Sequence, residues 1–164
     1  MAPTGHAMRL LEMPAAVRTW LEALMRVLLK YRSVVRPGPL GAELVALSKS
    51  VRHLQDLLRD RERASVVVVT RSAELPRLET DRVFDRLRRL KLSAPALVIN
   101  AQTLAPGSCP VCRATASHEQ DERQRFGVRR GRRQDVCVII QTPLAAPPPR
   151  GVRALERWAQ HWIR

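Results

Sequence analysis

The chain has 164 residues, enough for one domain with its own core, and an apolar content of 45% excludes a wholly disordered polymer. Its 29 basic and 15 acidic residues give a formal charge of +14, which in principle favours polyanionic partners. Yet the excess is almost all arginine, with Lys30, Lys49 and Lys91 the lysines, and a GC-rich coding sequence leaves the same pattern without selection for binding. The aliphatic run Val66–Val69 falls far short of the ~20 residues that span a bilayer. Arg9, Arg18 and Arg26 interrupt any signal-peptide pattern in the first thirty residues. The expectation is a cytoplasmic chain without a transmembrane segment.

The chain opens on Ala2-Pro3-Thr4-Gly5-His6, which sets a fixed φ, a hydroxyl, a permissive glycine and an imidazole side by side, denser chemistry than a fraying terminus carries. From Met13 to Tyr31 the apolar residues Val17, Trp20, Leu21, Leu24, Met25 and Leu28 recur at spacings of three and four, which predicts an amphipathic helix with Pro14 in its first turn. Arg36-Pro37-Gly38-Pro39 breaks the chain. A second helix follows over about 40–60, with Leu40, Leu44, Leu47, Val51, Leu54 and Leu58 as its stripe, and the two are expected to form a hairpin.

At Ser65 the texture changes. Ser65–Thr70 is a β-branched run without polar alternation, as in a parallel strand covered on both faces. Residues 76–91 read as a helix with Leu78, Val83, Phe84, Leu87 and Leu90 inward. Ala96–Asn100 and Val136–Ile140 read as further buried strands, separated by a cysteine loop and an arginine-rich stretch over 123–133, and a last helix runs from about Val152 to Ile163. Ala145–Pro149 reads as a stiff extended connector. Strand alternating with helix is α/β, with right-handed crossovers building a small parallel sheet of about three strands.

Such sheets bind ligands at the carboxyl ends of their strands, here Thr70-Arg71, Asn100-Ala101 and Gln141-Thr142-Pro143. Read with the opening, these resemble the ArsA-type ATPases, the arsenite-pump ATPases and the targeting factors of tail-anchored membrane proteins. The family's switch II strand ends in Asp-Thr-Ala-Pro-Thr-Gly-His and continues towards Arg-Leu-Leu; this chain has Ala2–His6 and then Arg9-Leu10-Leu11. Glu79-Thr80, Val98-Ile99-Asn100, Cys109-Pro110-Val111-Cys112, Thr142-Pro143-Leu144 and Arg150-Gly151-Val152-Arg153-Ala154-Leu155 resemble further family stretches, so the likeness runs through nearly the whole chain.

The resemblance implies a partial P-loop NTPase fold with an inserted helical subdomain: switch II over 1–12, helical subdomain over 13–62, and the nucleotide-side α/β part over 63–164. It implies ATP and Mg as cofactors of the intact family fold. Pro3, Thr4, Gly5 and His6 would form the nucleotide switch, Asn100, Pro143 and Leu144 the adenine pocket, and Met13, Trp20, Leu24, Met25 and Leu28 a client groove. The family's departures matter as much. Phosphoryl transfer needs backbone amides that cradle phosphates and a lysine beside them, and none of the seven glycines here is followed by lysine. The expectation is the C-terminal portion of such an ATPase, beginning within switch II, with no turnover of its own.

Each site has a plainer reading beside it. Thr-Gly-His is common in ordinary turns. Cys109 and Cys112 supply two of the four ligands that structural zinc takes; His118 and another group could complete the set, the family resemblance implies a zinc shared across a homodimer, and reduced thiols are the alternative. Cys137 reads as a core residue. The amphipathic helices could be ordinary core packing instead of a groove for a hydrophobic membrane-protein client; no cysteine lies between Met1 and Ser108 to favour metalloid binding. Asn100 could cap a strand, although its amide offers the donor and acceptor that adenine's edge requires. Arg123, Arg125, Arg129, Arg130, Arg132 and Arg133 could be a solvated surface or a nucleic-acid site, the latter disfavoured by a 4% aromatic content that leaves little for base stacking. The competing class is a non-enzymatic basic module that binds nucleic acid or an acidic partner.

Overall fold

The computed structural model describes residues 4–31, 38–131 and 138–163, the side chains of Thr4 and of residues 127–131 excepted. The chain divides into two compact units, one formed by Met1–Ala64 with Arg88–Ser93, the other by Ser65–Leu87 with Ala94–Arg164.

The first unit is a pair of packed helices, α1 (Thr4–Lys30) and α2 (Gly38–Arg59). The expected start at Met13 is corrected: α1 begins at Thr4 and carries Pro14 in its interior. Proline removes one backbone hydrogen bond there, and burial of Pro14 itself, with Met8 at 4% exposure one and a half turns earlier, offsets that loss. The buried stripe runs through Met8, Leu11, Pro14, Val17, Leu21, Met25 and Leu28 at spacings of three and four, one face of a 3.6-residue repeat. In α2 the inward residues are Gly41, Leu44, Ser48, Val51, Gln55 and Leu58. Leu40, Leu47 and Leu54, expected in that stripe, are instead exposed, because the face of α2 that turns inward is centred one residue further along.

The second unit is built on three parallel strands, β1 (Val67–Thr70), β2 (Ala96–Gln102) and β3 (Val138–Pro143), in the order β1-β2-β3. They alternate with α3 (Glu74–Leu90), α4 (Pro110–Gly131) and α5 (Val152–Ala159), an α/β architecture consistent with a partial P-loop NTPase fold. Val68 pairs with Leu97 and Thr70 with Ile99, while Ile99 pairs with Gln141. Residues in register point to the same side of a parallel sheet, so Val68, Thr70, Leu97, Ile99 and Gln141 share one face. Both α3 and α4 lie on it: Thr80 Oγ1 is 2.8 Å from Thr70 Oγ1, and Glu119 accepts from the Thr103 amide at 2.7 Å. Successive right-handed crossovers in a sheet ordered this way land on the same side. Leu87, Leu97 and Ile99 are at most 1% exposed, and each such side chain contributes about 1.5–3 kcal/mol by leaving water.

The expectation that the first strand is covered on both faces is therefore corrected. Val67 and Val69, on the side away from α3 and α4, are 52% and 61% exposed. Other boundaries move as well. The stretch after Cys109 is one long helix, α4, since Pro110 suits a first helical turn and the following residues carry no breaker before Gly127. The third strand runs to Pro143, and the last helix stops at Ala159, after which Ile163 pairs antiparallel with Gln141. Gly151 begins α5 at φ 77°, a left-handed conformation that glycine tolerates without penalty. Cys137 lies outside the described residues.

Candidate functional site

Asn100, Pro143 and Leu144 all lie at the carboxyl ends of β2 and β3, where Asn100 meets Thr142 while Pro143 is in register with Gln102. β2 does not stop at Asn100 but runs on to Gln102, with its pairing to β3 shifting between Ile99 and Gln102 and Ala101 held at φ 57°. That irregularity presents Asn100 to β3 on the face opposite Ile99. Thr142 Oγ1 donates to Asn100 Oδ1 at 2.7 Å and accepts from the Ala101 amide at 3.3 Å, and Thr142 is 1% exposed. The Leu144 amide donates to the Gln102 carbonyl at 2.8 Å, and Trp158 Nε1 of α5 donates to the Pro143 carbonyl at 3.0 Å. Leu144 keeps 56% of its surface exposed, an apolar surface beside a polar strand end. Sequence reasoning singled out the asparagine; it passed over the role of Thr142, which anchors the asparagine to the neighbouring strand.

Beneath the other face lies an ion-pair network that the sequence did not announce. Arg77 Nε donates to Glu122 Oε2 at 2.8 Å, Arg125 pairs with the same carboxylate, and Arg77 also faces Asp81 at 3.9 Å. Arg77 and Glu122 are 7% and 1% exposed. Burial works against a charged Glu122, but the Arg77 hydrogen bond and the charges of Arg125, Arg77 and His118 outweigh it and hold the carboxyl below its ordinary 4.5. The pair joins α3 to α4 across 45 residues of sequence, a separation at which no local signal exists.

Cys109 and Cys112 are both exposed and reduced. The Cys109 carbonyl accepts from the Arg113 amide, which makes Cys109 the residue that caps α4, and its sulfur accepts from the Cys112 amide at 3.5 Å. The Cys112 amide and thiol lower the pKa of Cys109, while hydrogen bonding to Cys109 and its charge raise that of Cys112, so one thiol is readied to lose its proton first. Among the described residues, no three His, Cys, Asp or Glu side chains come together as a metal site; His118 does not complete the pair.

In the helical unit, Gly5 and His6 lie exposed in the first turn of α1, Thr4 is its first residue, and Pro3 lies outside the described residues. The five expected groove residues divide. Met25 and Leu28 are half-buried, whereas Met13, Trp20 and Leu24 are 50%, 78% and 43% exposed. With Val27, also exposed, these last three form a second apolar stripe along α1, bordering the one around Leu21. Among the described residues no helix is long and apolar enough to cross a membrane.

A parallel sheet alternating with helices, with Asn100 and an apolar loop at the carboxyl ends of its strands, has the α/β architecture of a partial P-loop NTPase fold. The characteristic pattern of the "Anion-transporting ATPase" family matches residues 1–163. The chain belongs to this ArsA-type ATPase family. It is 28% identical over 172 residues to an "ATPase ASNA1 homolog" of Trypanosoma cruzi, covering 97% of this chain and 48% of that protein. It is also 26% identical to "ATPase GET3B" of Arabidopsis thaliana, covering 94% and 40% of the two chains, and 24% identical to "ATPase GET3" of Candida tropicalis, covering 99% and 49%. The chain thus spans about half the length of the curated relatives it matches.

The family binds ATP with Mg, and the residues present fit one end of that ligand. Asn100 uses its oxygen towards Thr142, and Leu144, just past the neighbouring strand end, is exposed; an amide and an apolar surface are the groups that a base edge and its ring would require. No glycine of this sequence precedes a lysine, so the phosphate cradle is not built from these residues.

Proposed function

We propose that this chain provides the base-side and client-side part of an ArsA-type ATPase that targets tail-anchored membrane proteins. Asn100, Pro143 and Leu144 hold the adenine of ATP, and Pro3, Thr4, Gly5 and His6 form the switch that passes the nucleotide state into α1. Met13, Trp20, Leu24, Met25 and Leu28 contribute to a groove for a client's transmembrane helix, and methionine's flexible thioether suits it to varied apolar partners. The complete enzyme works in the cytoplasm as a homodimer, with Cys109 and Cys112 from each subunit sharing one zinc, which would supply the four thiolates that tetrahedral zinc takes. ATP and Mg supply the phosphoryl chemistry when bound; this chain orients the base and couples its presence to the helices.

The observation that carries the client reading is the second apolar stripe of α1. A helix that packs on one partner needs one apolar face, and α1 has two, one of them exposed through Met13, Trp20 and Leu24. The test is photocrosslinking with benzoylphenylalanine in place of Trp20. An apolar helical peptide of ~20 residues, long enough to span a bilayer, should form an adduct that Leu24→Ser and Met13→Ser together reduce severalfold. Equal labelling by a polar peptide of the same length would defeat the proposal.

A further inference from the structure

A cavity of about 500 Å³ lies on the sheet face opposite Asn100, between α4 and the carboxyl ends of β2 and β3. Its wall includes Gln102, Thr103, Arg113, Glu119, Arg123 and Gln141, with Ile163, itself half-exposed, at an apolar side of its open mouth. Gln102 is only 4% exposed, and its Nε2 has no hydrogen-bond partner among the described residues. A buried amide donor left unmade costs roughly 1–3 kcal/mol, and a single water satisfies it while needing only ~30 Å³ of space. The cavity is an order larger than that and carries two guanidinium groups. Arg113 and Arg123 line one side of α4, and among the described residues no ion pair holds either of them. Glu119, the one carboxylate of the wall, already accepts from the Thr103 amide.

We propose that this cavity binds a small organic acid whose carboxylate oxygen accepts from Gln102 Nε2 and whose charge faces Arg113 and Arg123. The wall favours a carboxylate over phosphate for two reasons. Two arginines and one glutamate leave a single net positive charge, matched by a monoanion, and Glu119 repels a dianion more strongly. The remaining volume against Ile163 takes a carbon skeleton, for which an inorganic ion has no use. The site lies across the sheet from Asn100: Asn100 and Thr142 point to one face of the sheet, Gln141 and this cavity to the other. Its occupancy does not depend on the nucleotide reading.

The test is isothermal titration calorimetry and thermal unfolding of the full chain with pyruvate, 3-hydroxybutyrate and benzoate, alongside inorganic phosphate. At least one acid should bind at millimolar concentration or tighter and raise the melting temperature, and Gln102→Leu should weaken it by about tenfold, equivalent to ~1.4 kcal/mol. Arg123→Gln, on the rim of α4, should weaken it similarly and keeps the test informative if the buried substitution prevents folding. Absence of binding by all three acids, equal binding of phosphate, or affinity that survives Arg123→Gln would each overturn the proposal.

Discussion

Glu122 is the most demanding residue of the structure, a carboxylate at 1% exposure held by Arg77 from α3 and Arg125 from its own helix. Its folded pKa is depressed, so its contribution to stability is present above the ordinary unfolded value near 4.5 and is lost as the pH falls through the folded value. Urea unfolding followed from pH 7 downward should therefore show stability falling below about pH 4.5, and Glu122→Gln should flatten that limb. Arg77→Met should cost about 2 kcal/mol at pH 7, the worth of a hydrogen bond to a charged group, and less as Glu122 protonates. A loss that stays constant with pH would mean that Arg77 acts through packing alone. At this scale the sequence was legible where chemistry is local. Asn100 stood out beside its strand, and Cys109 and Cys112 by their spacing, whereas Arg77, Glu122 and Gln102 gave no signal because their roles arise from contacts between segments distant in the chain.

At the scale of the element, α1 shows how a periodic pattern underdetermines a helix. The residues Trp20, Leu21, Leu24 and Met25 cover too wide an arc to face one neighbour, and the structure divides them, with Leu21 at 6% exposure and Trp20 at 78%. Leu21→Ala should destabilise the chain by about 2–3 kcal/mol, the cost of emptying a buried leucine site. Leu24→Ala and Trp20→Ser should each change stability by less than about 1 kcal/mol, as exposed substitutions do. Chemical denaturation of the three variants checks this, and equal losses at Leu21 and Leu24 would overturn the facing of α1. The start of α1 lies ahead of the one its periodicity predicts for a related reason. Pro14 reads as a helix start in isolation, but Met8 and Leu11 extend the buried stripe through it. In α4 the sequence lacks a clear apolar periodicity; the Arg77–Glu122 pair ties it to α3, and the Glu119 contact with the Thr103 amide ties it to the end of β2.

For the whole molecule, family membership and the α/β architecture agree, while the parts of ATP chemistry are unevenly present. No Gly-Lys pair exists in the sequence to hold phosphates, whereas the strand ends around Asn100 are the part proposed above to hold the base. We accordingly expect purified chain to show no Mg-dependent release of phosphate from ATP, measured by a coupled phosphate assay; turnover that disappears on chelating Mg would reverse this conclusion. The sequence by itself determined the alternation of strands and helices, the family, and the stretches at the strand ends, because hydrophobic period and short motifs are properties of neighbouring residues. Only the tertiary structure decided that both crossover helices cover one face of the sheet, leaving Val67 and Val69 exposed, and that Asn100 and the cavity around Gln102 lie on opposite sides. Strand order and register set those outcomes, and both depend on which distant segments pair.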